Sequence, residues 1–202
     1  MRPTFYIDLD RTTFRTERVK ELYDELVRLY PDNLAVAEGY KRRGDYYVLS
    51  DAHDGDGDQL YCHDFAAQLR VMGLEPSVVF ARLQERLGDG RFEYDGTAEL
   101  VALLRERGNV VVLTYGTDDY QRCKAALCPS LRDLSCVTVL EPKSAYLNEH
   151  AKTGDWMIDD KVLMNVKAGV RVVRVGHGER AQRGVTHSLY QVADMIRESV
   201  DG

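Results

Sequence analysis

The chain has no run of about 18 or more consecutive apolar residues, so its sequence offers no candidate for a membrane-spanning helix. No basic-then-apolar leader follows Met1, and the expectation is therefore a cytosolic protein with no membrane partner. Positive charge is in deficit too: 27 Lys and Arg stand against 33 Asp and Glu, a formal net charge of -6. That balance argues against a nucleic-acid polymer, which is bound by neutralising many phosphates over a wide basic face. It leaves room for a small phosphorylated ligand met by a few placed cations. Cysteine is sparse: Cys62, Cys123, Cys128 and Cys136 form neither a CxxC pair nor the dense pattern of a disulfide scaffold, and reduced thiols are expected. Internal repeats and low-complexity tracts are absent as well. What remains is an ordinary globular composition, 202 residues of which 44% are hydrophobic, enough for one well-buried domain carrying an insertion.

Periodicity divides the chain in two. "FYIDLDRTTF" opens with an apolar strand that runs straight into Asp8 and Asp10. Helical spacing follows in "TERVKELYDELVRLY", where Val19, Leu22, Leu26 and Leu29 recur at three- and four-residue steps until Pro31. A polar, Tyr-rich stretch, the acidic "SDAHDGDGDQ", and two more helical candidates, "CHDFAAQLRVMG" and "PSVVFARLQERLG", complete a small, mainly helical unit over residues 16–93. From Tyr94 onward, helices alternate with short β-branched runs: "TAELVALLRERG", "NVVVLTYG", "DDYQRCKAAL", "SCVTVL", "SAYLNEHAK", "DWMIDD" and "VRVVRV". The closing helix, "THSLYQVADMIRES", has Thr186 as a candidate cap. Such alternation predicts an α/β fold, a Rossmann-like parallel sheet flanked by helices, built from residues 1–15 and 94–202 with 16–93 as a cap.

Open parallel sheets bind ligands beyond the carboxyl ends of their strands. The residues just past the apolar runs are Asp8 and Asp10, Thr114, Lys143, and the pair Asp159 and Asp160. Two unit charges about 4 Å apart at an effective dielectric near 20 repel by roughly 4 kcal/mol, so clustered carboxylates need a cation to stay ionised. Oxygen ligands suit Mg²⁺, which keeps waters and bridges to phosphate. Should the chain turn sharply after Leu9, Asp8 can serve as a nucleophile while Asp10 swings back to handle protons.

"DLDRT" after a strand, Thr114 in "VVVLTYG", Lys143 in "EPKSAY" and the acid pair in "WMIDDKVLMN" together resemble the haloacid dehalogenase superfamily, with a fainter similarity of "IDD" to its deoxyribonucleotidase-like branch. The resemblance implies a Mg²⁺-dependent phosphatase acting on a small phosphorylated metabolite, a nucleotide or sugar phosphate among the options. It implies Asp8 as the residue that becomes an aspartyl phosphate and touches the metal, and Asp10 as general acid and base, lending its backbone carbonyl to Mg²⁺. Asp160 would be a metal ligand, with Asp159 joining directly or through water. Thr114, with Tyr115 and Gly116 beside it, would meet the phosphoryl oxygens. Lys143 would hold nucleophile and phosphate, and Thr12 would stabilise the turn. Lys124 and Lys152 are rivals to Lys143. The family usually has Gly where this chain has Arg11, which is counted with the substrate-binding residues. A phosphomutase and a non-catalytic binding module of the same fold are the alternatives.

Taken singly, each motif is an ordinary turn, strand end or solvated lysine; their order along the chain, each at a strand end, favours a catalytic cluster. Other features read more plainly. "DAHDGDGDQ", counted from Asp54, places Gln59 where a calcium loop needs Gly and Phe65 where it needs Glu, and is expected to be a flexible acidic loop. His63 is read as a helix start, and "GHGER" around His177 as a glycine-bounded loop. Lys41, Arg42 and Arg43 read as a solvated face that could reach substrate anions if the insertion closes over the pocket.

Overall fold

The structure, a computed structural model, describes residues 2–177 and 186–199. Five parallel strands form the central sheet: β1 (Thr4–Ile7), β4 (Asn109–Tyr115), β5 (Ser135–Val139), β6 (Trp156–Asp159) and β7 (Arg171–Arg174), in the order β5-β4-β1-β6-β7. Helices α5 (Thr97–Arg107), α6 (Asp118–Ala126), α7 (Lys143–His150) and α8 (Leu189–Glu198) connect and flank them. The α/β Rossmann-like reading therefore holds.

Side-chain alternation along β1 explains how the sheet is covered on both faces. Phe5 and Ile7 point into a core shared with Leu100, Leu104, Val192 and Ile196, while Tyr6 points into a second cluster with Leu113, Leu147 and Met157. β1 pairs with β4 on one side and β6 on the other, so the residues after Ile7 emerge between two neighbouring strand ends. The closing helix is capped by Ser188, not Thr186: the Ser188 hydroxyl accepts from the Gln191 amide, and the Gln191 side chain accepts from the Ser188 amide. That reciprocal pair satisfies two donors that Thr186, two residues earlier, cannot reach.

The insertion contains α1 (Lys20–Leu29), the short α2 (Leu34–Ala37), α3 (Phe65–Val71) and α4 (Pro76–Leu87). It also contains an antiparallel hairpin, β2 (Tyr47–His53) and β3 (Gln59–His63), that the sequence reading did not anticipate. His63 closes β3, and the helix after it starts from Asp64, whose carboxylate accepts from the Ala67 amide. Leu22 and Leu26 of α1, Phe65 and Leu69 of α3, and Val79 and Leu83 of α4 are buried in the same cluster as Phe5, Ile7, Leu9 and Phe14. The helices of the insertion are thus cemented to the sheet by shared apolar burial, whereas the hairpin stands out from it with Val48 and Leu49 exposed. Among the described residues, no helix is long and apolar enough to cross a membrane.

Candidate active site

The opening doublet is resolved by a tight turn. The Leu9 carbonyl accepts hydrogen bonds from the amides of Thr13 at 3.0 Å and Phe14 at 2.8 Å, with Thr12 at 3.3 Å, so the chain reverses immediately after the strand. Thr12 Oγ1 donates to Asp8 Oδ2 at 3.1 Å, and Thr13 Oγ1 donates to the Asp8 carbonyl at 2.9 Å. Arg11 lies in this turn at φ +62°, and its amide donates to the Phe14 carbonyl at 2.9 Å. A left-handed Arg costs roughly 1 kcal/mol that Gly would not. The backbone demand met by Gly in the resembling family is present here and is met under strain.

Lys143, at the first turn of α7, answers the choice among lysines. Its Nζ donates to Asp8 Oδ1 at 2.5 Å and to Asp159 Oδ2 at 2.7 Å, all three groups being buried. Burial alone would lower the Lys143 pKa; the charges of Asp159 and Asp8 and their hydrogen bonds more than reverse this, holding the ammonium charged. Lys124, from α6, instead pairs with Asp10 Oδ2, which also receives Gln121 Nε2 at 3.4 Å, while Thr16 Oγ1 donates to Oδ1 at 3.2 Å. Burial pushes the Asp10 carboxyl up, but Lys124 and these hydrogen bonds outweigh it and leave the pKa below its ordinary value. Lys152 offers its amide to Asp155 beyond the end of α7, at 2.8 Å.

Asp8, Asp159 and Asp160 each offer a carboxylate oxygen, and these atoms lie within 4.8 Å of one another. Burial, then the neighbouring aspartates, push Asp8 and Asp160 up, with Lys143 opposing. Three buried carboxylates against one ammonium leave uncompensated negative charge, the condition that a bound divalent cation relieves. The donor set is all oxygen, the chemistry that suits Mg²⁺, and Asp8, Asp159 and Asp160 are the residues that could hold it. The Asp10 carboxylate is outside this group and is ion-paired with Lys124 instead.

Thr114, on β4 next to β1, is 1% exposed, and its hydroxyl has no hydrogen-bond partner. It lines a cavity of about 550 Å³ together with Asp8, Asp10, Arg11, Lys143 and Asp160. Tyr115 lines it as well. Gly116 does not: its amide is already bonded to the Val139 carbonyl, and its φ of +146° presses the backbone against Gln121, where a Cβ would lie 2.2 Å from Nε2. It shapes the wall and does not offer its amide to a ligand.

The roof of the cavity comes from the insertion, through Lys20, Tyr40, Arg43, Tyr47, Tyr61 and His63. Of the basic trio, Lys41 pairs with Glu38 and Arg42 with Asp45 on the surface, and only Arg43 reaches the cavity. His63 Nε2 meets Gln68 Oε1 at 2.9 Å, and burial pushes its pKa down to about 4, so it is a neutral structural histidine. The thiol of Cys62 beside it is pushed up by burial, away from thiolate chemistry.

The acidic loop is a docking element. Asp54 pairs with Lys161 at 2.9 Å, Asp56 with Arg174 at 2.6 Å, and the Gly55 amide donates to the Val162 carbonyl at 2.9 Å. These contacts bring the hairpin tip onto the segment directly after Asp160. Sequence reasoning missed them because the partners, the loop after Asp160 and the end of β7, are brought to the tip only by the hairpin. His177 donates from Nε2 to the Thr12 carbonyl at 3.0 Å and stacks on Tyr94 at 3.6 Å, steadying the turn after Leu9. Gly178, Glu179 and Arg180 of the "GHGER" stretch lie outside the described residues.

Sequence comparison finds no matching family model and no matching curated protein. Solved structures with a similar fold do exist. One described as a haloacid dehalogenase-like hydrolase, from Burkholderia xenovorans, is 15% identical with a TM-score of 0.63 over 98% of both chains. YfnB from Bacillus subtilis, described as a HAD-hydrolase bound to magnesium, is 15% identical with a TM-score of 0.52, over 97% of this chain and 99% of that one. CbbY from Rhodobacter sphaeroides, in complex with phosphate, is 16% identical with a TM-score of 0.51 over 93% of both. At these identities the likeness establishes the fold: this chain has the haloacid dehalogenase-like architecture.

Proposed function

We propose that the protein is a hydrolase of the haloacid dehalogenase superfamily, a Mg²⁺-dependent phosphomonoesterase acting on a small phosphorylated metabolite. The observation that carries this reading is the convergence of Asp8, Asp159 and Asp160 around Lys143, beside a buried Thr114 hydroxyl that has no hydrogen-bond partner among the described residues. A nucleophile, a cation-binding acid pair, a fixed ammonium and a vacant donor are what phosphoryl transfer requires. The magnesium held by YfnB and the phosphate held by CbbY, proteins of the same fold, support it.

In this reading Asp8 attacks phosphorus in line, the P–O ester bond breaks as the leaving oxygen takes a proton from the protonated Asp10, and an aspartyl phosphate forms on Asp8. Water then attacks that phosphorus while Asp10 takes its proton, releasing phosphate and restoring Asp8. Ion-pairing with Lys124 keeps Asp10 ionised at rest, the state suited to accepting a proton; to protonate the leaving oxygen it must first gain one. Lys143 orients Asp8 and meets the phosphoryl oxygens, and Thr114 donates to one of them. Mg²⁺, held by Asp8, Asp159, Asp160 and the Asp10 carbonyl, would neutralise the phosphoryl charge. Arg11 makes no side-chain hydrogen bond or ion pair among the described residues and lines the cavity, free to meet a substrate anion. Residues 16–93 act as the cap, its docked hairpin excluding bulk water.

The test is phosphate release from a broad phosphomonoester panel with and without Mg²⁺. Mg²⁺-dependent turnover lost in Asp8→Asn is expected; no release from any ester would overturn the reading.

A further inference from the structure

We propose that the leaving group of the substrate carries a planar aromatic ring, seated against Tyr47 and Tyr61 of the hairpin. This rests on the phosphomonoesterase reading and names its substrate class. β2 and β3 pair Tyr47 with His63 and Leu49 with Tyr61, so these four side chains share one face of the hairpin. The Tyr47 and Tyr61 rings lie 5.2 Å apart, tilted by 40°, and remain 38% and 49% exposed. These two rings line the same cavity as Asp8, Thr114 and Lys143.

What stands behind them is rigid. Tyr47 packs edge-on against His63 at 5.5 Å, and His63 against the buried Tyr120 at 5.2 Å. Arg43 adds a planar cation to the same wall, its guanidinium 4.2 Å from the centre of the Tyr40 ring. Rings packed on one another beside a guanidinium complement a flat π-system, which gains stacking and cation–π contact that a saturated group of equal bulk cannot. The cavity volume, about 550 Å³, falls within the range of ordinary small-ligand pockets.

The experiment compares benzyl phosphate with cyclohexylmethyl phosphate in the presence of Mg²⁺. Both are esters of primary alcohols with six-membered rings, so ring planarity is the main difference. A kcat/KM preference for the benzyl ester of about threefold to tenfold is expected. Tyr47→Leu and Tyr61→Leu, at exposed positions that leucine does not unfold, should bring the ratio toward one. Running a nucleoside 5′-monophosphate and a pyridylmethyl phosphate alongside separates a ring borne on a sugar from one attached directly; preference for either over the cyclohexyl ester supports the proposal. A ratio near one across the wild-type panel overturns the ring while leaving the phosphatase standing. Should no ester be hydrolysed, the phosphatase reading falls, and calorimetry on Asp8→Asn decides. Tighter benzyl binding that Tyr47→Leu abolishes then supports the aromatic seat, and equal binding overturns it.

Discussion

Lys143 Nζ lies 2.5 Å from Asp8 Oδ1, although 135 residues separate them in the chain. Removing that ammonium strands Asp8, Asp159 and Asp160 in a buried site. Lys143→Met is expected to destabilise the protein by about 3 kcal/mol in EDTA, the scale of a broken buried pair. Because Mg²⁺ would then supply the positive charge that Lys143 gave, the variant's melting temperature should rise more on adding Mg²⁺ than the wild type's. Calorimetric melts of both proteins with and without the ion check this.

Thr114 is expected to behave in the opposite sense. Its buried hydroxyl has no partner, so the near-isosteric Thr114→Val should be neutral or stabilising by up to about 1 kcal/mol. The same change removes the donor assigned to the phosphoryl oxygen, and inhibition by inorganic phosphate should weaken about tenfold. A variant that both melts higher and binds phosphate as before would remove Thr114 from the site.

Arg11 poses a trade of strain against function. Arg11→Gly relieves the positive φ and should raise stability by up to about 1 kcal/mol. If the side chain meets substrate, KM rises while kcat holds; denaturant titration and steady-state kinetics on one preparation read both effects.

The hairpin docking can be loosened by a single side chain. A Cβ at Gly55 would lie 2.6 Å from Val162, so Gly55→Val is expected to lift the tip away from the segment after Asp160. Hydrogen exchange of residues 47–63 should quicken, and KM should change more than global stability does, since the helices of the insertion keep their apolar anchorage.

Much of this was legible in the sequence. Val110 to Leu113 and Trp156 to Ile158 announced strands by β-branched or wholly apolar runs, and Asp8, Thr114 and the acid pair could be located because strand ends are readable. Lys143 was found at the head of α7, just past β5, where parallel sheets place their ligands. What escaped notice depends on pairing across distance. Tyr47 to Tyr61 looked like a polar stretch and His63 like a helix start, because their partners in the ladder lie across a tip of acidic and glycine residues. Lys124, a mid-helix lysine, showed no signal of its bond to Asp10 because helix faces are oriented only by tertiary packing. Arg11 looked like a departure from the motif, yet its backbone keeps the motif's shape.

β1 is hydrogen-bonded along both flanks, by β4 and by β6, whereas among the described residues the two strands of the hairpin over the cavity pair only with each other, its tip held by Lys161, Val162 and Arg174. The two sides of the pocket therefore differ in stiffness. Asp8 follows directly on β1, a strand held by neighbours along both edges. Tyr47 and Tyr61 ride on a two-stranded ribbon that can yield. Substitutions in the ribbon can retune which molecule is accepted without detuning the chemistry, and an engineer seeking altered selectivity would start there and leave residues 4–16 untouched.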